Sequence, residues 1–285
     1  EIMPSLVGSE MCIRDRECSN IMKVCSIASG SSGNCIYVGT EKTNILIDAG
    51  ISRKRIVEGL HSIGVEPEQL DGIFVTHEHS DHIQGIPMMA KQFEVPIYAT
   101  GGTLDQICEK DKKNVIKREN LFQLYADQPV GMGDMQIMPY KMSHDAADPV
   151  CYTVEADGQK VSMATDLGVY DDYIVDHLED SDVLLIEANH DISMLEAGHY
   201  PYPLKRRILG EWGHLSNEDS GRLLCSLMGD HLKYAFLAHL SKENNYPALA
   251  YEAVRCQIWE EMGSKEVPFQ LQVAERDKPS QLVTI

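Results

Sequence analysis

Ile73-Phe74-Val75-Thr76-His77-Glu78-His79-Ser80-Asp81-His82 couples a short apolar run of β-formers to four ligand-type side chains within six positions. A lone His-x-His is often only a solvated polar loop, but this density of imidazole and carboxylate directly after a strand is not a loop composition. If the backbone leaves the strand extended, alternation sends His77 and His79 to one side. The turn that follows lets Asp81 and His82 reach a second point close by. Two adjacent metal sites are therefore predicted. Neutral imidazoles suit Zn²⁺, Fe or Mn²⁺, and the carboxylate adds hard oxygen character and compensating charge.

Working outward, three more ligand-type residues stand at strand ends: His144 after a run at 135–142, Asp166 after 161–165, and His239 after 234–238. Strand ends that share one sheet edge would bring all seven side chains together. Further strands are read at 22–27, 35–38, 45–48, 73–76, 151–154 and 183–186, with a glycine-serine loop at 29–34. Helices are read over 56–63, with Gly64 as C-terminal cap, and over 170–178, 216–228 and 247–262, the last opened by Pro247 and closed by Gly263. The pattern is that of an α/β protein with one domain over 22–285. Residues 1–21 carry no amphipathic period, and 9–16 resemble translated sequencing adaptor; this segment is expected to be a non-native or disordered extension ahead of Met22.

Bulk properties bound the function. With 43% hydrophobic and 24% charged residues, the composition is that of a globular protein, and no apolar run approaches the ~20 residues of a membrane span. The eight cysteines include no Cys-x-x-Cys pair and mostly sit in apolar stretches. They are read as buried reduced thiols, which fits a cytoplasmic protein without membrane partners. A net charge of −19 argues against a broadly basic nucleic-acid surface. It leaves room for a nucleic-acid substrate, because two divalent cations concentrate positive charge at one point even on an acidic chain.

On these residues, the span from Met22 onward resembles the metallo-β-lactamase superfamily. Five motifs match in order: Asp48 in Leu46-Ile47-Asp48-Ala49-Gly50, the His77 cluster, His144, Asp166 and His239. The resemblance implies an αββα four-layer sandwich and two divalent metal ions (Zn, Mn or Fe) per chain. One ion would take His77, His79 and His144; the other would take Asp81, His82 and His239, with Asp166 bridging and Asp48 bracing the loop. Ala28-Ser29-Gly30-Ser31-Ser32-Gly33-Asn34-Cys35, Gly213-His214-Leu215-Ser216-Asn217 and the stretch from Leu237 to Asn245 look like the bacterial YycJ/WalJ group. That group is related to ribonuclease Z and the PhnP phosphodiesterases. It implies a phosphodiesterase, a 5′-to-3′ DNA exonuclease acting on single strands or DNA ends through a metal-activated hydroxide, with Asp81 and Asp166 in the catalytic machinery. Alternatives are an RNA or small cyclic phosphodiester hydrolase and a glyoxalase II-like thioester hydrolase; a homodimer is compatible with either.

In line with this chemistry, His214 is the candidate proton donor to the departing oxygen. It precedes Ser216, whose spacing to Asp219 predicts a helix cap that would aim free N–H groups at an anion. Such a terminus disfavours an imidazolium, so an approaching phosphate would have to outweigh it. Ser31, Ser32 and Asn34 are candidate contacts to phosphate or base. Lys205, Arg206 and Arg207 are candidates for steering a backbone, and His190 for supporting the metal site from behind.

Overall fold

Strand sequences such as Val183-Leu184-Leu185-Ile186 carry apolar side chains on both faces, as a sheet covered on both sides requires. In this computed structural model, which describes residues 21–263 and 266–285, two such sheets stack. The first is built from β1 (Lys23–Ala28), β2 (Cys35–Gly39), β3 (Asn44–Ile47), β4 (Gly72–Phe74), β5 (Ile97–Thr100) and β6 (Leu121–Leu124). The second comprises β7 (Val130–Met132), β8 (Met135–Lys141), β9 (Val150–Ala156), β10 (Gln159–Ala164), β11 (Val183–Glu187), β12 (Tyr234–Ala238) and β13 (Gln270–Val273). A last strand, β14 (Val283–Thr284), returns to pair with β1, so the orders are β14-β1-β2-β3-β4-β5-β6 and β13-β12-β11-β10-β9-β8-β7. The expected extension at 1–21 lies, but for Ile21, outside the described residues.

Alternation along each strand sorts its side chains into layers. Ile45, Ile47, Phe74, Tyr152, Val183, Leu185 and Phe236 meet between the sheets. Leu46 points the other way, beneath α1 (Arg53–Ser62), beyond which follow α2 (Ser80–Ile83), α3 (Ile86–Phe93) and α4 (Gly101–Lys110). Leu184 and Ile186 face α5 (Asp172–Leu178), and the same side carries α6 (Ile192–Ala197), α7 (Tyr202–Ile208), α8 (Asn217–Ser226) and α9 (Pro247–Met262). The result is the expected four-layer αββα sandwich. Cys25, Cys35 and Cys151 are buried thiols as read, but Cys108 and Cys256 are exposed on α4 and α9. Both sit on helices, where one apolar position does not fix which face is covered.

Directions within the sheets decide where the site lies. β1 and β3 both run antiparallel to β2, and β4 runs parallel to β3. β8 and β10 both run antiparallel to β9, and β11 and β12 are parallel to β10. The carboxyl ends of β1, β3 and β4 therefore share one edge of the first sheet, and those of β8, β10, β11 and β12 share one edge of the second. Two bonds tie these edges together. The Tyr152 hydroxyl donates to the Val75 carbonyl at 2.8 Å, and the Val150 N–H donates to the Thr76 carbonyl at 3.0 Å, immediately before His77.

Candidate metal centre

Seven side chains predicted from distant parts of the sequence converge at this shared edge. His77, His79 and His144 offer nitrogens within 4.8 Å of one another, as do the ligand atoms of Asp81, His82 and His239. Asp166 stands between the two sets: His77, His82 and Asp166 form a third group, and Asp166 also groups with Glu187, His214 and His239. Its Oδ2 lies 3.2 Å from His82 Nε2, and its Oδ1 lies 3.3 Å from His239 Nδ1.

The polar atoms fit cations better than they fit one another. Among the described residues, His77 Nε2 and His239 Nε2 are buried without a hydrogen-bond partner, and Asp166 Oδ2 has none beyond its approach to His82. His144 Nε2 and His79 Nδ1 face each other at 3.3 Å. Buried donors and acceptors left unpaired cost on the order of 1–3 kcal/mol each, so a site that gathers several is built for something they can coordinate. The opposite ring nitrogens are held. His82 Nδ1 lies 2.7 Å from Asp48 Oδ2, His144 Nδ1 lies 3.2 Å from the Gly213 carbonyl, and His239 Nδ1 lies 2.7 Å from Glu187 Oε1. An acceptor on Nδ1 fixes the tautomer and aims the Nε2 lone pair inward.

The Asp48 carboxylate also accepts from the Thr76 N–H at 2.9 Å and the Thr76 hydroxyl at 2.8 Å. Glu187 is the residue that sequence reasoning missed. Fully buried at the end of β11, it accepts from the Leu167 N–H and the Leu215 N–H and holds both His239 and His214. Its signal was there to be read, since it follows the all-apolar run Val183–Ile186 at a strand end just as Asp166 and His239 do.

The electrostatics are those of a cation site. Burial opposes charge on His239, but Asp166, Asp81 and Glu187 outweigh it and raise its pKa to about 10. For His82, burial is likewise overcome by Asp48 and Asp166, and its pKa is raised well above the usual range. Burial pushes Glu187 up, yet His214 and His239 bring it down to about 2. Burial pushes His77 and His144 the other way, below the usual range, so on that side the imidazoles are held neutral, the form that ligates a metal.

Three of these residues carry backbone strain. Asp48, Asp166 and His239 have φ of 61°, 59° and 54°, in the left-handed region that side-chain-bearing residues avoid. Each is the residue at which the chain leaves a strand, and the left-handed turn swings its side chain back over the sheet edge. The loop after Asp48 is zipped to the ligand loop: the Ala49 N–H donates to the His82 carbonyl at 2.8 Å, and the Asn34 N–H donates to the Asp81 carbonyl at 2.8 Å. A Cβ on Gly50 would overlap the Asp81 carbonyl. Gly50→Ala should therefore displace Asp81 and His82, costing about 1–3 kcal/mol in stability and most of the bound metal. Gly131→Ala, at a position open to solvent, should change neither; thermal melts and metal analysis of both variants check this.

The remaining expectations divide. Ser31 and Ser32 are exposed and line a groove of about 420 Å³ with Ser80 and Asp81, so they border the centre. Asn34 does not present itself to a ligand. It is buried, its Oδ1 accepting from the Gly30 N–H at 2.9 Å and its amide nitrogen lying 3.1 Å from His82 Nε2. It props the ligand loop instead. His190 is buried beside the start of α8, but neither ring nitrogen bonds to any group among the described residues. Glu187 makes the supporting contacts assigned to it. Ser216 does cap α8, accepting from the Asp219 N–H at 3.1 Å. The Asn217 N–H, however, is taken by the His190 carbonyl at 2.9 Å, so this terminus is turned into the protein rather than toward an anion. What balances a proton on His214 is Glu187, 2.9 Å from its Nδ1, and not an incoming phosphate: burial lowers its pKa, and Glu187 more than restores it.

A family model described as a beta-lactamase superfamily domain matches residues 43–240, from β3 through the last ligand-bearing loop. The chain belongs to the metallo-β-lactamase superfamily. Within it, the chain is similar to the exodeoxyribonuclease WalJ of Streptococcus pneumoniae, 40% identical over 235 residues, covering 81% of this chain and 86% of the relative. It is also similar to the exodeoxyribonuclease YycJ of Bacillus anthracis, 35% identical over 237 residues, covering 83% and 89%. Among solved superfamily structures, YhfI of Bacillus subtilis superposes with a TM-score of 0.68 at 19% identity, covering 93% of this chain and 100% of that one, which shows the shared fold. No helix among the described residues is long and apolar enough to cross a membrane.

Proposed function

We propose that this protein is a two-metal phosphodiesterase that degrades DNA from the 5′ end. The observation that carries the reading is the convergence of His77, His79 and His144 with Asp81, His82 and His239 on either side of Asp166. Similarity to relatives named exodeoxyribonucleases over four-fifths of the chain supports DNA as the substrate. Divalent cations in these two sets, Zn²⁺, Mn²⁺ or Fe, would lower the pKa of a water molecule and neutralise charge growing on the phosphoryl group.

The chain's own groups supply the rest. Asp166, shared by both sets, would fix their separation. His214, one-fifth exposed at the rim of the site, keeps a proton through Glu187 and would donate it to the departing oxygen. Ser31 lines the clefts on both sides of the centre and would contact the phosphate backbone. Compartment is part of the reading too: the six described cysteines are unpaired, and we place the reaction in the cytoplasm.

Incubation with Mn²⁺ and single-stranded DNA labelled at either end is the direct test. Loss of the 5′ label as mononucleotide, with the 3′-labelled strand shortening progressively, is expected. If neither strand is shortened, the exonuclease reading fails.

A further inference from the structure

Beside His214 the surface carries a large aromatic side chain that packing does not explain. Trp212 is 60% exposed, although burying so large a side chain is ordinarily among the strongest contributions to stability. Its loop is not loose. The Gly213 N–H donates to the Gly210 carbonyl at 2.8 Å, the His214 N–H donates to the Ile208 carbonyl at 3.0 Å, and the Gly213 carbonyl lies 3.2 Å from His144 Nδ1. Gly168, two residues after Asp166, packs so closely against Glu211 and Gly213 that no Cβ would fit there. The backbone under Trp212 is thus fastened to two of the candidate ligand loops while its ring is left in solvent.

That ring lines a cleft of about 160 Å³ shared with Tyr200, Arg207, Asp145, Ser31 and His214. From the last turn of α7, Arg207 lines this cleft, while the Lys205 ammonium donates back to the Glu196 and Gly198 carbonyls. Arg207 pairs with Asp145, next in sequence to His144. Rigid aromatic faces flanked by cations are how proteins hold unpaired nucleobases: the ring stacks on the base while the cations follow the phosphates, and the arrangement tolerates any base because every base has a π-face. A base inside a duplex is stacked on both faces, and a terminal base pair, twice as wide as a single base, does not fit a cleft of this size.

We propose that Trp212 is the stacking platform for the nucleobase next to the bond that is cut, with Tyr200 and Arg207 lining the same cleft. This rests on the phosphodiesterase reading and deepens it: the cleft selects a single-stranded end by its exposed base, not by sequence.

Stacking and turnover can be read separately. Trp212 and Trp259 are the two tryptophans of the sequence, so a Trp259→Phe background reports Trp212 alone. Saturable quenching of its emission by a cleavage-resistant phosphorothioate oligothymidylate is expected, with no quenching by an oligomer whose end nucleotides are abasic. For cleavage, the ratio of kcat/KM on base-carrying over abasic 5′ ends should collapse about 5- to 100-fold in Trp212→Ala. Trp212→Phe should keep most of that ratio. Absent quenching, or equal losses on both substrates, would overturn the platform. Quenching in a protein that shortens no strand would leave the platform standing and remove the hydrolysis instead.

Discussion

Asp81→Ala and His82→Ala should each bind one metal equivalent fewer than the parent protein and lose nearly all turnover. Asp81, His82 and His239 form one set of converging ligands, and His77, His79 and His144 form the other without them. The second set should therefore keep its ion when the first is broken, which separates ligand loss from unfolding. His82 carries the larger risk to the loop, because its ring also holds Asp48 at 2.7 Å; Asp81, partly exposed, is the cleaner substitution. Metal content by mass spectrometry and hydrolysis of labelled DNA, measured on the same preparations, decide the matter. Full activity with unchanged metal content in Asp81→Ala would show that the Asp81, His82 and His239 set does not hold a metal.

The second large effect is expected at His214, where both metals should remain but the departing oxygen should lose its proton. Positioned proton donors are worth about 10²–10⁴-fold, so His214→Ala should slow DNA hydrolysis by that order. A p-nitrophenyl phosphodiester, whose leaving group departs without a proton, should be cleaved with a much smaller loss. Glu187→Gln probes the same relay from behind. It removes the carboxylate that keeps His214 charged and also loosens His239, so it should reproduce the leaving-group dependence of His214→Ala while weakening metal binding about 10- to 100-fold. An unaltered DNA rate in His214→Ala would take that residue out of the mechanism.

Much of this centre was legible because its ligands obey a local rule. Each follows an apolar β run, and strand ends in a layered α/β protein lie on common edges. What could not be read lies where the signal is tertiary. β5 and β6 are four-residue strands, too short to show a period, and β13 and β14 are shorter still or equal. α4 opens with Gly101-Gly102, which reads as a loop; Gly102 is there because Asp148 packs against it too closely for a side chain. The left-handed turns at Asp48, Asp166 and His239 leave no mark on composition. Asn34 and His190 were assigned by residue type and proximity in sequence, whereas burial decides their roles. Glu187 fell outside the reading because the strand was read only to Ile186, and nothing in composition shows a charge sealed beneath two imidazoles.

The ligands are drawn from both sheets: the His77 loop leaves β4 in the first, while His144, Asp166 and His239 leave β8, β10 and β12 in the second. Neither half of the sandwich owns a complete coordination sphere. Ions bound across this seam would favour the assembled form by mass action, so a chelator should lower the melting temperature of the sandwich rather than unfold it outright.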